Sequence, residues 1–166
     1  MSKSQNPKKL FQKAIESGYQ LACHFWKIVV YRKVVFKGFF NPEIGQEILN
    51  NPEILTSLGV ATPQQKKILE EELTEIVLAK SGIALPAKTE TWIILNPYYL
   101  EAEFSQRFVL DIVETMAHEV AHAVVFNWDI YWGHVPPHGE MTKYLQDYYL
   151  NNLGYDWEWV LSQRKF

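Results

Sequence analysis

Between Phe108 and Phe126 apolar residues recur at helical spacing, and in the middle of that stripe the chain places His118-Glu119-Val120-Ala121-His122. No other segment restricts the fold as tightly. Leu110, Val113, Ala117, Val120, Ala121 and Val124 predict a helix with a broad buried face, and Ser105 is its expected N-cap. Two histidines four residues apart share one helix face, so both imidazoles can reach a single ion, and Glu119 faces the same pocket. Polar groups buried among valines and alanines cost several kcal/mol unless they find partners. A shared metal ion satisfies all three, so the fold must wrap this helix and close over its polar patch.

The cysteine content narrows the metal chemistry. Cys23 is the single cysteine of the 166 residues, which excludes an internal disulfide and any CxxC thiolate site. The ion must therefore be held by His and carboxylate. Imidazole suits Zn²⁺, which in catalytic sites takes three protein ligands and keeps a fourth position for water. Zinc lowers the pKa of that water from about 15.7 to roughly 7, and Glu119 is placed to accept the proton as general base.

Spacing limits the third ligand. A metzincin would continue HExxHxxGxxH, but the required positions hold Val125 and Trp128. A gluzincin would use a downstream Glu, for which Glu140 and Glu158 are present, neither in a recognisable partner motif. His138 follows Pro136-Pro137 and opens a segment whose Met141, Tyr144, Leu145, Tyr148, Tyr149 and Leu150 form an apolar helix face able to pack against the HExxH helix. His138 is the expected third ligand, with one Zn²⁺ per chain. His134, four residues earlier, is an alternative third ligand or a donor to an oxyanion, and Tyr131 is a second oxyanion candidate. A loop position for His134 and a surface position for Tyr131 are the commoner outcomes, and His24 reads as structural.

The remaining elements follow from period and punctuation. An amphipathic helix is predicted from about Lys8 to Trp26, and a strand or tight strand pair over Ile28–Phe36. Two Asn-Pro steps between Asn41 and Gly59 predict one or two short helices. Thr62-Pro63-Gln64-Gln65 has the form of a capping box with proline at the first helical position, opening a helix that Gly82 is expected to close. Thr89–Leu95 predicts a strand stopped by Asn96-Pro97.

Hydrophobic residues at 48% and charged residues at 21% exclude disordered and fibrous classes. The N-terminal residues lack a following apolar h-region and no apolar run is long enough to span a bilayer, so a cytoplasmic protein is expected. The net charge of -3 conceals an asymmetry: residues 1–40 carry eight Lys/Arg against Glu16 alone, whereas 41–126 carry five basic and thirteen acidic residues. The first quarter is compatible with a weak polyanion contact or with an ordinary solvated face. Late aromatics such as Tyr155, Trp157 and Trp159 interleave with acids, which favours packing over stacking on nucleic acid.

HExxH at His118–His122, the later His138-Gly139 pair before a helix, and Ile93-Ile94-Leu95-Asn96-Pro97, which looks like an I-x-L-N-P segment, together resemble the SprT-like (Spartan-type) zinc metallopeptidases. The resemblance covers about residues 90 to 153 plus a generic N-terminal helix. It implies that His118, His122 and His138 are ligands, that Glu119 is catalytic, and that substrates include proteins attached to DNA. The sequence departs from that family at Met141, where an aromatic is usual, and over Phe36–Pro86, which is longer and more helical. No cysteine follows Cys23 in these 166 residues, so the family's frequent zinc ribbon, with the nucleic-acid affinity it supplies, is not expected within them.

The expected architecture is a single α+β, zincin-like domain over residues 1–166: a basic helical part (1–86), a catalytic core (about 87–154) and a tail (155–166). A small sheet packs on the HExxH helix, flanked by other helices. The expected function is zinc-dependent hydrolysis of peptide bonds in a protein or peptide substrate. The Trp92–Leu95 strand, at a sheet edge over the metal, would align an extended substrate. The alternative is a non-catalytic, zinc-stabilised DNA- or protein-binding accessory module, and a third possibility is a helical domain with a fortuitous HExxH and no metal.

Overall fold

The computed structural model describes residues 7–103, 105–130 and 133–163, with side chains from 8 to 151 within those ranges. Tyr131 and the side chains of Tyr155, Trp157, Glu158 and Trp159 lie outside them. The described residues form an α+β fold in the order α1 (Pro7–Phe25), β1 (Lys33–Phe39), α2 (Pro42–Leu49), α3 (Pro52–Ser57), α4 (Pro63–Leu78), β2 (Gly82–Pro86), β3 (Glu90–Leu95), a 3₁₀ turn (Pro97–Leu100), α5 (Gln106–Phe126) and α6 (His138–Gln163).

Element starts are written in the sequence by one recurring device, a polar cap followed by proline at the first helical position. Asn41 accepts from the Ile44 N–H (2.9 Å), and Asn51 from those of Glu53 and Ile54 (both 3.1 Å). Thr62 and Gln65 exchange side-chain to backbone bonds in both directions, completing the predicted capping box. Asn96 caps the 3₁₀ turn, and Ser105 caps α5 by accepting from Phe108 (3.1 Å).

The three strands are ordered β1-β3-β2, with β1 parallel and β2 antiparallel to β3. β3 is thus central, and the expectation of Trp92–Leu95 at a sheet edge is corrected. The physical reason is in the strand itself. Ile93 and Leu95 enter a core with α1, α5 and α6, while Trp92 and Ile94 enter a second core with α2, α3 and α4. A strand buried on both faces reads as an unbroken apolar run, as Trp-Ile-Ile-Leu does.

Two other boundaries differ from expectation. The strand predicted over Ile28–Phe36 begins only at Lys33. Val29 is 82% exposed, and the backbone N–H groups of Tyr31 and Arg32 donate to the Asn127 side chain (3.2 Å each), not to a ladder. Gly82 does not close α4, which ends at Leu78 with Ala79 as its C-cap; it opens β2, a strand the sequence pattern did not reveal. Glycine is required there for close approach, since a Cβ at Gly82 would stand 3.0 Å from Thr115 Cγ2 and 3.3 Å from Glu119 Cγ on α5.

α5 is enclosed by α1, α6 and β2, and its C-terminal end is fixed by Arg32. The buried guanidinium donates to the Phe126 carbonyl, where cations are favoured by the helix dipole, and to the Ala87 carbonyl (2.7 Å), and contacts Asp129 at 3.4 Å. Among the described residues no helix is long and apolar enough to cross a membrane.

Candidate metal centre

α5 presents its HExxH turn to a groove of about 830 Å³ that is also walled by residues 80–84, which lead into and along β2. Asn96 holds that wall in place: its side chain donates to the carbonyls of Leu78 (3.1 Å) and Lys80 (2.8 Å), and its N–H to that of Ser81 (2.9 Å). The LNP segment therefore terminates β3 and also positions the groove.

His118 and His122 bring their Nε2 atoms to 3.2 Å of one another, as their one-turn separation requires. His138, at the first position of α6, is 2% exposed and lies 4.8 Å from His118 and 4.2 Å from His122, ring centre to ring centre. Its Nε2 is 3.2 Å from the His118 carbonyl, a contact that orients the ring, and the Thr142 hydroxyl donates to the His138 carbonyl (2.9 Å). His134 joins the group from the loop before α6. The four ligand atoms lie within 4.8 Å of one another, one from each histidine, with no carboxylate among them. Glu140 is exposed on α6 and outside this cluster. The exposed His24 is also apart from it.

Glu119 is 7% exposed and lies on the lining of the groove beside His118. Burial raises its pKa to about 7, with Lys80 pulling in the opposite direction. The histidines shift the other way. Burial, then neighbouring imidazoles, lower His122 to about 3 and His138 to about 4, and His118 is lowered by burial and by His134. Near neutral pH these three rings are uncharged, the form in which imidazole binds a metal.

The chain matches no family model, no curated protein and no solved structure. The functional reading accordingly rests on residues and geometry. Convergent neutral imidazoles fit a borderline-soft ion such as Zn²⁺, and the absence of thiolates from the cluster leaves Cys23 out of the site, buried beside α1's other core residues.

Sequence reasoning located His118, Glu119, His122 and His138 and weighed His134. It missed β2 as the facing wall and Lys80 as the cation nearest Glu119 in effect. It also assigned Arg32 to a basic face, although Arg32 is buried at the end of α5 and Lys37 pairs with Glu47 at 3.1 Å. Lys9, Lys13, Lys27 and Lys33 are the exposed members of that basic set among the described residues.

Proposed function

We propose that the chain is a zinc-dependent metallopeptidase of zincin-like, SprT-like type, in which His118, His122 and His138 hold the ion and Glu119 is the general base. The observation that carries this reading is the placement of a largely buried glutamate on the lining of an open groove next to convergent histidines. A purely structural site has no use for such a group. Zinc bound there supplies a Lewis acid that polarises a carbonyl and renders a water molecule nucleophilic near neutral pH.

The protein's own groups do the rest. Glu119 accepts a proton from the attacking water on a carboxylate oxygen and passes it to the departing amine nitrogen as the peptide bond breaks. β2 supports the alignment of an extended peptide: among the described residues no strand pairs with its outer edge, and residues 82–84 border the groove next to His118 and Glu119. β2 thus replaces β3 in the substrate-aligning role. A cytoplasmic setting fits the lone buried thiol, and the four exposed lysines support at most a weak contact with a DNA-associated substrate.

The second reading is the non-catalytic zinc-stabilised accessory module, which the fourth imidazole favours because closed four-ligand sites are structural. Elemental analysis and casein hydrolysis separate the two. Wild type is expected to carry one zinc and to cleave casein, whereas Glu119→Gln keeps its zinc and loses turnover by about a hundredfold or more. A zinc-loaded wild type without hydrolysis would establish the accessory module, and a wild type without zinc would sink both.

A further inference from the structure

Four histidines meet at the site, yet they are not held alike. His118 and His122 belong to a 21-residue helix, and His138 is buried at the start of α6 against the His118 carbonyl. His134 is exposed, sits on a non-helical loop after Gly133, and has no hydrogen-bond partner among the described residues. Gly133 has a φ of 78°, which a side chain would resist, and nothing packs within 4 Å of where its Cβ would stand. The ring of His134 nevertheless faces the cluster, with its centre 4.9 Å from His118, 5.1 Å from His122 and 4.8 Å from His138.

Zinc in a closed site takes four ligands, and three anchored imidazoles leave one position. Resting on the metallopeptidase reading, we infer that His134 is a fourth, displaceable zinc ligand that fills this position in the resting protein and withdraws when a substrate group enters the groove. Three ligands are fixed by helices and burial, so the ion is retained throughout. The fourth is exposed and on a loop, without the helix or the burial that fixes the others, so it is the one that exchanges. Activity is then limited by the fraction of molecules in which His134 has left, and any group that binds zinc from the groove must compete with it.

The test is zinc K-edge X-ray absorption on the zinc-loaded full chain, in which imidazole ligands are counted by their multiple scattering, combined with zinc affinity from a competing chelator. Wild type is expected to show four imidazoles, and three once acetohydroxamate is added. His134→Ala is expected to show three from the start, to retain one zinc with affinity weakened by about tenfold, and to cleave casein faster than wild type. Three imidazoles in both proteins would overturn the inference and leave the peptidase reading standing. Four in wild type that persist in acetohydroxamate would show a permanent ligand and overturn displacement. Loss of stoichiometric zinc in His134→Ala would make His134 an anchoring ligand, against the inference, and failure of wild type to bind zinc would remove the peptidase reading itself.

Discussion

Protons bound at His122, His138 and Glu119 tie the stability of the metal-free protein to pH, in opposite directions. The two histidines are depressed to about 3 and about 4 from the ordinary 6.5, so below pH 6.5 the unfolded chain binds protons that the native state refuses, and stability falls. Glu119 is raised to about 7 from 4.5, so the native state takes up a proton between those values that the unfolded chain lacks, and stability rises as pH drops across that window. His118 is lowered as well, so three histidines oppose one carboxyl group. Urea unfolding of the metal-free protein is therefore expected to show stability declining from pH 6.5, more steeply between about 4.5 and 4 once the unfolded Glu119 is also protonated, and levelling off below about 3 as the native histidines take up their protons. In Glu119→Gln the decline is steep from pH 6.5 onward. At this scale the sequence was most informative: an HExxH turn on a helix fixes the relation of His118, Glu119 and His122 by covalent geometry alone. His134 was legible only as a choice among roles, because a loop residue's position depends on what the loop packs against.

Element starts were legible because Asn-Pro, Thr-Pro and Ser105 state local chemistry that requires no tertiary knowledge. β2 was not, since Gly-Ile-Ala-Leu-Pro has a glycine, an alanine and a proline in five residues and becomes a strand only by pairing with β3. Its glycine is set by α5. In Gly82→Val the new side chain meets Thr115, Leu95 and Glu119 at once, forcing the groove wall away from the helix. The expected cost is about 1–3 kcal/mol in chemical denaturation, with casein turnover falling further than zinc affinity because the wall moves and the histidines do not. Unchanged turnover would show that β2 does not position substrate.

At the scale of the whole molecule the histidine cluster joins α5 to the His134 loop and the start of α6 that follows it. Zinc at about a hundredfold over its dissociation constant stabilises a native state by about 2.7 kcal/mol. Chelation is therefore expected to lower the melting temperature by several degrees, and a calorimetric scan with and without EDTA checks it; an unchanged midpoint would mean that no zinc is bound. The α+β class was readable from the alternation of helical and strand patterns, but strand order was not, because hydrogen-bond partners of a sheet are set by which faces the helices cover. The unbroken Trp92–Leu95 run carried that information, since a strand apolar on both faces belongs in the middle.

The central position of β3 also gives the chain a schedule. β2 and β3 are adjacent in sequence and pair across a short connection, whereas β1 joins β3 only after α2, α3, α4 and β2 have been bridged. Contacts of short sequence separation close with little entropy loss and those of long separation close slowly. The groove wall is thus expected to assemble before the sheet is complete, and pulse-labelled hydrogen exchange should protect the amides of Ile83 and Leu85 earlier than that of Val35. Protection of β1 first would reverse this order.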